Sequence, residues 1–161
     1  MRKLVSIVLV FALLLVPTLA MAKELNTKLF SAAKQALSLL SYGDTKKALK
    51  ALGLSTSDDA VDSMNKFVRD KLDTLDSGSV QTDVAVCYKT SKGYRLAVPL
   101  ESPDFPDVQA LVLRSKDGQA FSSYIALDWS DVEAEVAKSS FAKWDQPYDP
   151  GVPMLVADAS H

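Results

Sequence analysis

The sequence predicts an α+β domain: three N-terminal helices packed on a four-stranded antiparallel meander sheet, with a further C-terminal helix and an extended tail. Three observations carry this. Apolar residues recur at helical spacing between Leu25 and Leu75, the period changes to two from Val80 to Trp129, and Pro147, Pro150 and Pro153 exclude a helix at the end of the chain.

Leu25, Leu29, Ala32, Ala33, Ala36, Leu37 and Leu40 form one face of an amphipathic helix from about Glu24 to Ser41. Tyr42-Gly43-Asp44 breaks it, with Gly43 suited to a C-terminal cap and Asp44 to the next N-cap. A short helix follows through Ala48, Leu49 and Leu52 to Gly53. Ser57 caps the third helix, and Asp58 and Asp59 sit at its positive end. Its apolar face is Val61, Met64, Phe67 or Val68, Leu72 and Leu75, and Ser77-Gly78 stops it.

Val80, Thr82, Val84, Val86 and Tyr88 alternate along a first strand, and Tyr94, Leu96, Val98 and Leu100 along a second, joined at Ser91-Lys92-Gly93. A loop from Glu101 to Asp107 leads to a third strand over roughly Val108 to Arg114. Asp117-Gly118 carries the signal of a tight hairpin. The fourth strand places Phe121, Ser123, Ile125, Leu127 and Trp129 on one face. Ser130-Asp131-Val132-Glu133 has the form of a capping box, which predicts a last helix to about Phe141. Met154-Leu155-Val156 in the tail is apolar enough to add a short edge strand. Opposite the large apolar residues stand small ones, Ala85, Cys87, Ala97, Ala110, Ala120 and Ala126. They let another element approach closely: the last helix, the tail or a second subunit. Cover from within the chain is expected, since sheets are usually buried in layers.

The first 22 residues have the form of a cleaved secretory signal peptide. Arg2 and Lys3 precede an apolar run from Leu4 to Val16, and Ala20-Met21-Ala22 places the cut before Lys23. The run is shorter than the roughly 20 residues of a spanning helix. The expected organisation is a single domain over 23–144 and a Pro-rich tail over 145–161, in a secreted, periplasmic or cell-envelope setting. The signal carries two basic residues and no acid, so the net charge of −2 becomes −4 in the mature chain. That mild balance argues against a nucleic-acid partner. Cys87 is the one cysteine, so no internal disulfide can form, and the thiol is expected to be shielded by the fold.

The one histidine is the last residue, His161, which removes His-dependent nucleophilic, acid–base and zinc chemistry. No Cys cluster, Gly-rich phosphate loop or calcium loop is present, and no cofactor or metal is expected. Three constellations remain. Asp73, Asp76, Asp83, Asp104, Asp107, Asp128 and Asp131 are carboxylates that could pair, although caps and turns favour Asp for local reasons. Thr82, Tyr88, Tyr94 and Ser123 are candidate ligand-binding hydroxyls, expected together on the apolar sheet faces between helices and sheet. Trp129, Trp144 and Tyr148 flank the last helix, either as a recognition patch or as core and tail pins.

Two stretches, Ala36 to Ala48 around the Gly43-Asp44 turn and Leu111 to Phe121 around Asp117-Gly118, together with the helices-then-meander order, resemble the nuclear transport factor two-like superfamily, also called the ketosteroid-isomerase-like or cystatin-like cone. Phe121 stands where many members carry a Trp soon after the Asp-Gly turn. The resemblance implies a pocket-bearing scaffold shared by enzymes and non-catalytic proteins, and no catalytic motif carries over. The leading functional expectation is a non-catalytic binding or accessory domain, more readily monomeric than dimeric, engaging a small apolar ligand or a protein partner. The alternatives are a small isomerase, hydratase or lyase using carboxylate and Tyr groups, and a self-associating envelope component built on the small-residue face.

Overall fold

A computed structural model describes residues 24–72, 75, 84–101 and 107–145. The signal segment, Val80, Thr82, Asp73, Asp76, Asp83, Asp104 and the tail with Met154-Leu155-Val156, Tyr148 and His161 lie outside the described residues. Three helices come first: α1 (Lys28–Ser41), α2 (Thr45–Ala51) and α3 (Asp58–Lys71). Strands β1 (Val86–Thr90), β2 (Gly93–Leu100), β3 (Gln109–Ser115) and β4 (Ser123–Asp128) follow, then α4 (Trp129–Lys138) and β5 (Ala142–Trp144). The sheet is antiparallel with order β4-β3-β2-β1-β5. The α+β architecture is as expected, with one more strand than the meander. No helix among the described residues is long and apolar enough to cross a membrane.

Local chemistry explains the helix ends. Gly43 takes φ 76° just past α1, a left-handed conformation that costs glycine little. The Ser57 hydroxyl accepts from the Ala60 amide at 3.3 Å and caps α3. Asp44 stands at the N-cap of α2, but its carboxylate pairs with Lys47 at 3.0 Å and makes no cap bond. Two predicted signals are corrected. Ser130 lies inside α4, whose N-cap is Asp128, because the Trp129 amide bonds the Val108 carbonyl and starts the helix earlier. Glu133, freed from a capping box, accepts from the Trp129 indole at 3.1 Å. Asp117-Gly118 does not make a tight hairpin: the β3–β4 connection runs over 116–122. There the Gly118 amide donates to Ser115 Oγ, and the Gly118 carbonyl accepts from Asn26 at 2.9 Å, tying the connection to the segment before α1.

Register decides which residues share a face. A two-residue loop, Ser91-Lys92, joins Thr90 to its partner Gly93. Even positions of β1 therefore oppose odd positions of β2: Val86 faces Ala97, Cys87 faces Leu96 and Tyr88 faces Arg95. Opposed residues lie on one face of a sheet. One face carries Cys87, Tyr94, Leu96, Val98, Leu100, Leu111 and Leu113 and packs with Leu29, Phe30, Leu37, Leu49, Met64, Leu72 and Leu75 of the N-terminal helices and the segment after α3. The other carries Val86, Tyr88, Ala97, Ala110 and Val112 under Trp129 and Val132 of α4. The small residues are thus divided between both faces. Ala85 and Cys87 are buried beneath the N-terminal helices and Ala97 and Ala110 beneath α4, while Ala120 is exposed. The surface proposed for self-association is closed within the chain, and Cys87 is shielded as expected.

The edge strand also differs from expectation. Ala142–Trp144, expected to follow the last helix at the end of the domain with no strand of its own, pairs with β1. Asp145 extends this clasp: its amide donates to the Ala85 carbonyl at 2.9 Å and its carboxylate pairs with Lys34 of α1. Ser139 ends α4 and bonds both the amide and the carbonyl of Lys89.

Two consequences can be measured. Gly93 has φ 117°, and a Cβ there would lie 2.6 Å from the Ser115 carbonyl oxygen. Gly93→Ala should destabilise the fold by about 2 kcal/mol or more in urea unfolding; an unchanged midpoint would show that the turn relaxes freely. Burial pushes the Cys87 thiol from 9.0 up to about 12. Burial, and secondly the bond to Glu135, raises the Tyr88 phenol above its ordinary 10.0. Both folded values lie above the unfolded ones, so this stability is whole below pH 9 and is lost as pH rises towards 12. The fall should reach up to about 1.4 kcal/mol per pH unit for each group. Cys87→Ala should delay its onset to about pH 10, and an unchanged onset would remove the thiol from the linkage.

Candidate functional site

The predicted hydroxyl site does not assemble. Tyr88 lies under α4 and Tyr94 faces the N-terminal helices, on opposite sides of the sheet. The odd register of the two-residue hairpin is the cause. Ser123 is the partner of Arg114 on the α4 side, and Thr82 lies outside the described residues. Tyr88 is 0% exposed and cannot touch a ligand without a rearrangement of α4. Tyr94 does border a cavity, at the end of the sheet and not between helices and sheet. Asp107, Asp128 and Asp131 are exposed, with Asp128 at the α4 N-cap and Asp131 in its first turn. Trp129 is core, and Trp144 packs partly buried against the same cluster.

The cavity, about 220 Å³, lies where the β1–β2 turn meets the β3–β4 connection. Its walls are Thr90 and Lys92 from the turn, Tyr94 and Arg95 from β2, Arg114 and Ser115 from β3, and Lys116 and Ser122 from the connection. Four cations therefore converge in a chain whose net charge is negative. Arg95 and Arg114 are directly opposed across β2 and β3, an arrangement that repels. Arg95 is compensated: one guanidinium nitrogen, Nη1, donates to both Glu135 oxygens, at 2.6 and 2.7 Å. Burial disfavours the Arg95 charge more than any one contact favours it, but the Glu135 bond and charge together with Tyr88 outweigh burial and raise its pKa. The Tyr88 hydroxyl donates to the same carboxylate at 2.6 Å. Among the described residues no carboxylate pairs with Lys92, Arg114 or Lys116.

Hydroxyl use is unequal. Thr90 donates to the Gly93 carbonyl and accepts from the Lys92 amide, holding the turn. Ser122 donates to the Arg114 carbonyl. Ser115 Oγ accepts from Gly118, which leaves its proton available to a guest. The chemistry on offer is therefore anion recognition by cations and hydroxyl donors. Glu135 already accepts three short bonds and so holds the site rather than abstracting protons. No group of three His, Cys, Asp or Glu side chains among the described residues is placed to hold a metal ion.

Hydrophobic patterning passed over this site because its members are polar interruptions of strands and turns. A signal was nevertheless present: Lys92, Arg95, Arg114 and Lys116 all stand beside the two turns at one end of the meander.

Removing Glu135 leaves Arg95 uncompensated and the buried Tyr88 hydroxyl without its acceptor. The Arg95 and Glu135 side chains are 18% and 37% exposed. Solvent screening therefore puts the loss in Glu135→Ala at about 2 kcal/mol, below that of a fully buried pair. Tyr88→Phe should cost about 1 kcal/mol. Urea unfolding of both variants checks this, and a loss under about 0.5 kcal/mol for Glu135→Ala would mean water holds Arg95 equally well. No family model, no curated protein and no solved structure matches this chain.

Proposed function

We propose that this chain is an exported, non-catalytic binding domain of the periplasm or cell envelope, whose site at the end of the sheet takes a small anionic ligand. The signal-like first 22 residues support export. The observation that carries the ligand class is the convergence of Lys92, Arg95, Arg114 and Lys116 on one cavity, with Glu135 as the one carboxylate bonded to them among the described residues. That composition favours a phosphate or carboxylate over the apolar ligand expected from the sequence. Among the described residues three of these positive charges have no carboxylate partner, and an apolar guest would leave them so. The cone-like resemblance adds only a scaffold type, since a cone pocket lies between helix and sheet.

A binding role is favoured over a catalytic one by the state of the two groups an enzyme would use. Tyr88 is sealed in the core, and Glu135 is committed to Arg95.

Titration calorimetry with inorganic phosphate and with galacturonate at low salt tests this. Binding should weaken as salt rises. Arg114→Ala, at an exposed position, should lose about ten-fold in affinity, or about 1.4 kcal/mol. No binding of either anion at low ionic strength would overturn the proposal.

A further inference from the structure

A second cleft adjoins the first. It encloses about 460 Å³ between the end of β1 and the C-terminal end of α4, and is lined by Lys89, Thr90, Ser91, Glu135, Lys138, Ser139 and Ser140. Thr90 borders both clefts, so the hairpin tip is their common wall. They meet again beneath that tip, because Glu135 of the second cleft holds Arg95 of the first. Lys89 and Lys138 are exposed and have no carboxylate partner among the described residues. Six cations therefore line the two clefts, Lys116, Arg114, Lys92 and Arg95 the first and Lys89 and Lys138 the second, with Glu135 bonded to Arg95 between them and the Lys89 ammonium over the Tyr94 ring.

We propose that the two clefts are subsites of one groove that binds an acidic polysaccharide, a chain of sugars bearing anionic groups, across the tip of the β1–β2 hairpin. This rests on the anion site proposed above. Repeated cations suit repeated anions, and each cleft supplies cations for a different unit of the chain. Hydroxyls are the other constant: Ser115 keeps its donor in one cleft and Ser91 and Ser140 line the other, while Thr90, Ser122 and Ser139 are spent on backbone groups. A hydroxyl both donates and accepts, and so matches the hydroxyls of a sugar. An acidic peptide fits less well. Strand addition needs a free sheet edge, and here β1 is paired on both sides, with β2 and β5. Single-stranded nucleic acid stacks its bases on open aromatic rings. The one ring in the groove, Tyr94, is packed edge-on against Phe141.

The test compares galacturonate with its linear octamer by calorimetry at low salt, on the whole mature chain. Eight equivalent units alone give the octamer about an eight-fold advantage, whereas occupation of both subsites should raise it to at least about 30-fold. Lys138→Ala should lower octamer affinity about three-fold or more and leave galacturonate unchanged, since Lys138 lies outside the first cleft. Galacturonate binding with no more than the statistical gain would overturn the groove and leave the anion site standing. No binding of either would overturn both. Equal affinity for poly-glutamate or oligo-deoxythymidine of matched charge would overturn the assignment to a polysaccharide.

Discussion

The two-residue loop between Thr90 and Gly93 is the constraint from which the arrangement follows. A loop of that length makes even positions of β1 face odd positions of β2. It places Cys87 and Leu96 against the N-terminal helices, and Tyr88 and Arg95 against α4. One residue more or less would turn every β2 side chain to the other face. Leu96, Val98 and Leu100 would then face α4, and Arg95 would enter the helical core. The hydrophobic cost of such a slip, about 1.5–3 kcal/mol for each large side chain, is what holds the register. Gly93 is the local requirement, because only its missing Cβ lets β2 begin so close to the Ser115 carbonyl.

That register brings Arg95 opposite Arg114, and the fold answers with Glu135. Two guanidinium groups side by side on a sheet repel by several tenths of a kcal/mol. Compensation of Arg95 from α4, with Tyr88 donating to the same carboxylate, links β1, β2 and α4 through one anion. The neighbouring cations have no such partner among the described residues. A chain selected for stability alone would place an acid near Arg114 or Lys116, since carboxylates are plentiful in this sequence. Three charges around one cavity without a carboxylate partner among the described residues lower stability slightly, a cost that a bound anion would offset.

Much of the architecture was legible because burial and local chemistry agreed. The helical period, the Gly43 break and the Ser57 cap each correspond to an observed feature. The changes of period mark four of the five strands. Failures arose where a long-range bond overruled a local signal. The Val108 carbonyl starts α4 before Ser130. The Asn26 amide bonds the Gly118 carbonyl and ties the longer β3–β4 connection to the segment before α1. Strand β5 carries too few residues for any period, and only its pairing with β1 defines it. The candidate site was lost for a different reason. Alternation within each strand is visible in a sequence, but whether two strands align even with even or even with odd depends on how the turn is built. An expectation that Tyr88 and Tyr94 share a pocket rests on that single undetermined parity.

The same parity that separated the tyrosines assembled the cations. Arg95 and Arg114 lie on the α4 side, while Tyr94 and Ser115 lie on the other. A cavity lined by both pairs must sit across the end of the sheet, because no single face carries them all. A ligand there would not compete with the core for space, so binding needs no change in the buried layers. It would act on the turn and the connection, whose conformations are held by the Thr90 and Ser115 hydroxyls. Ligand occupancy then stabilises the hairpin register itself, by an amount set by affinity and concentration. Recognition and topology thus depend on the same few residues, and the stability of the β1–β2 turn becomes the physical link between what the chain binds and how it folds.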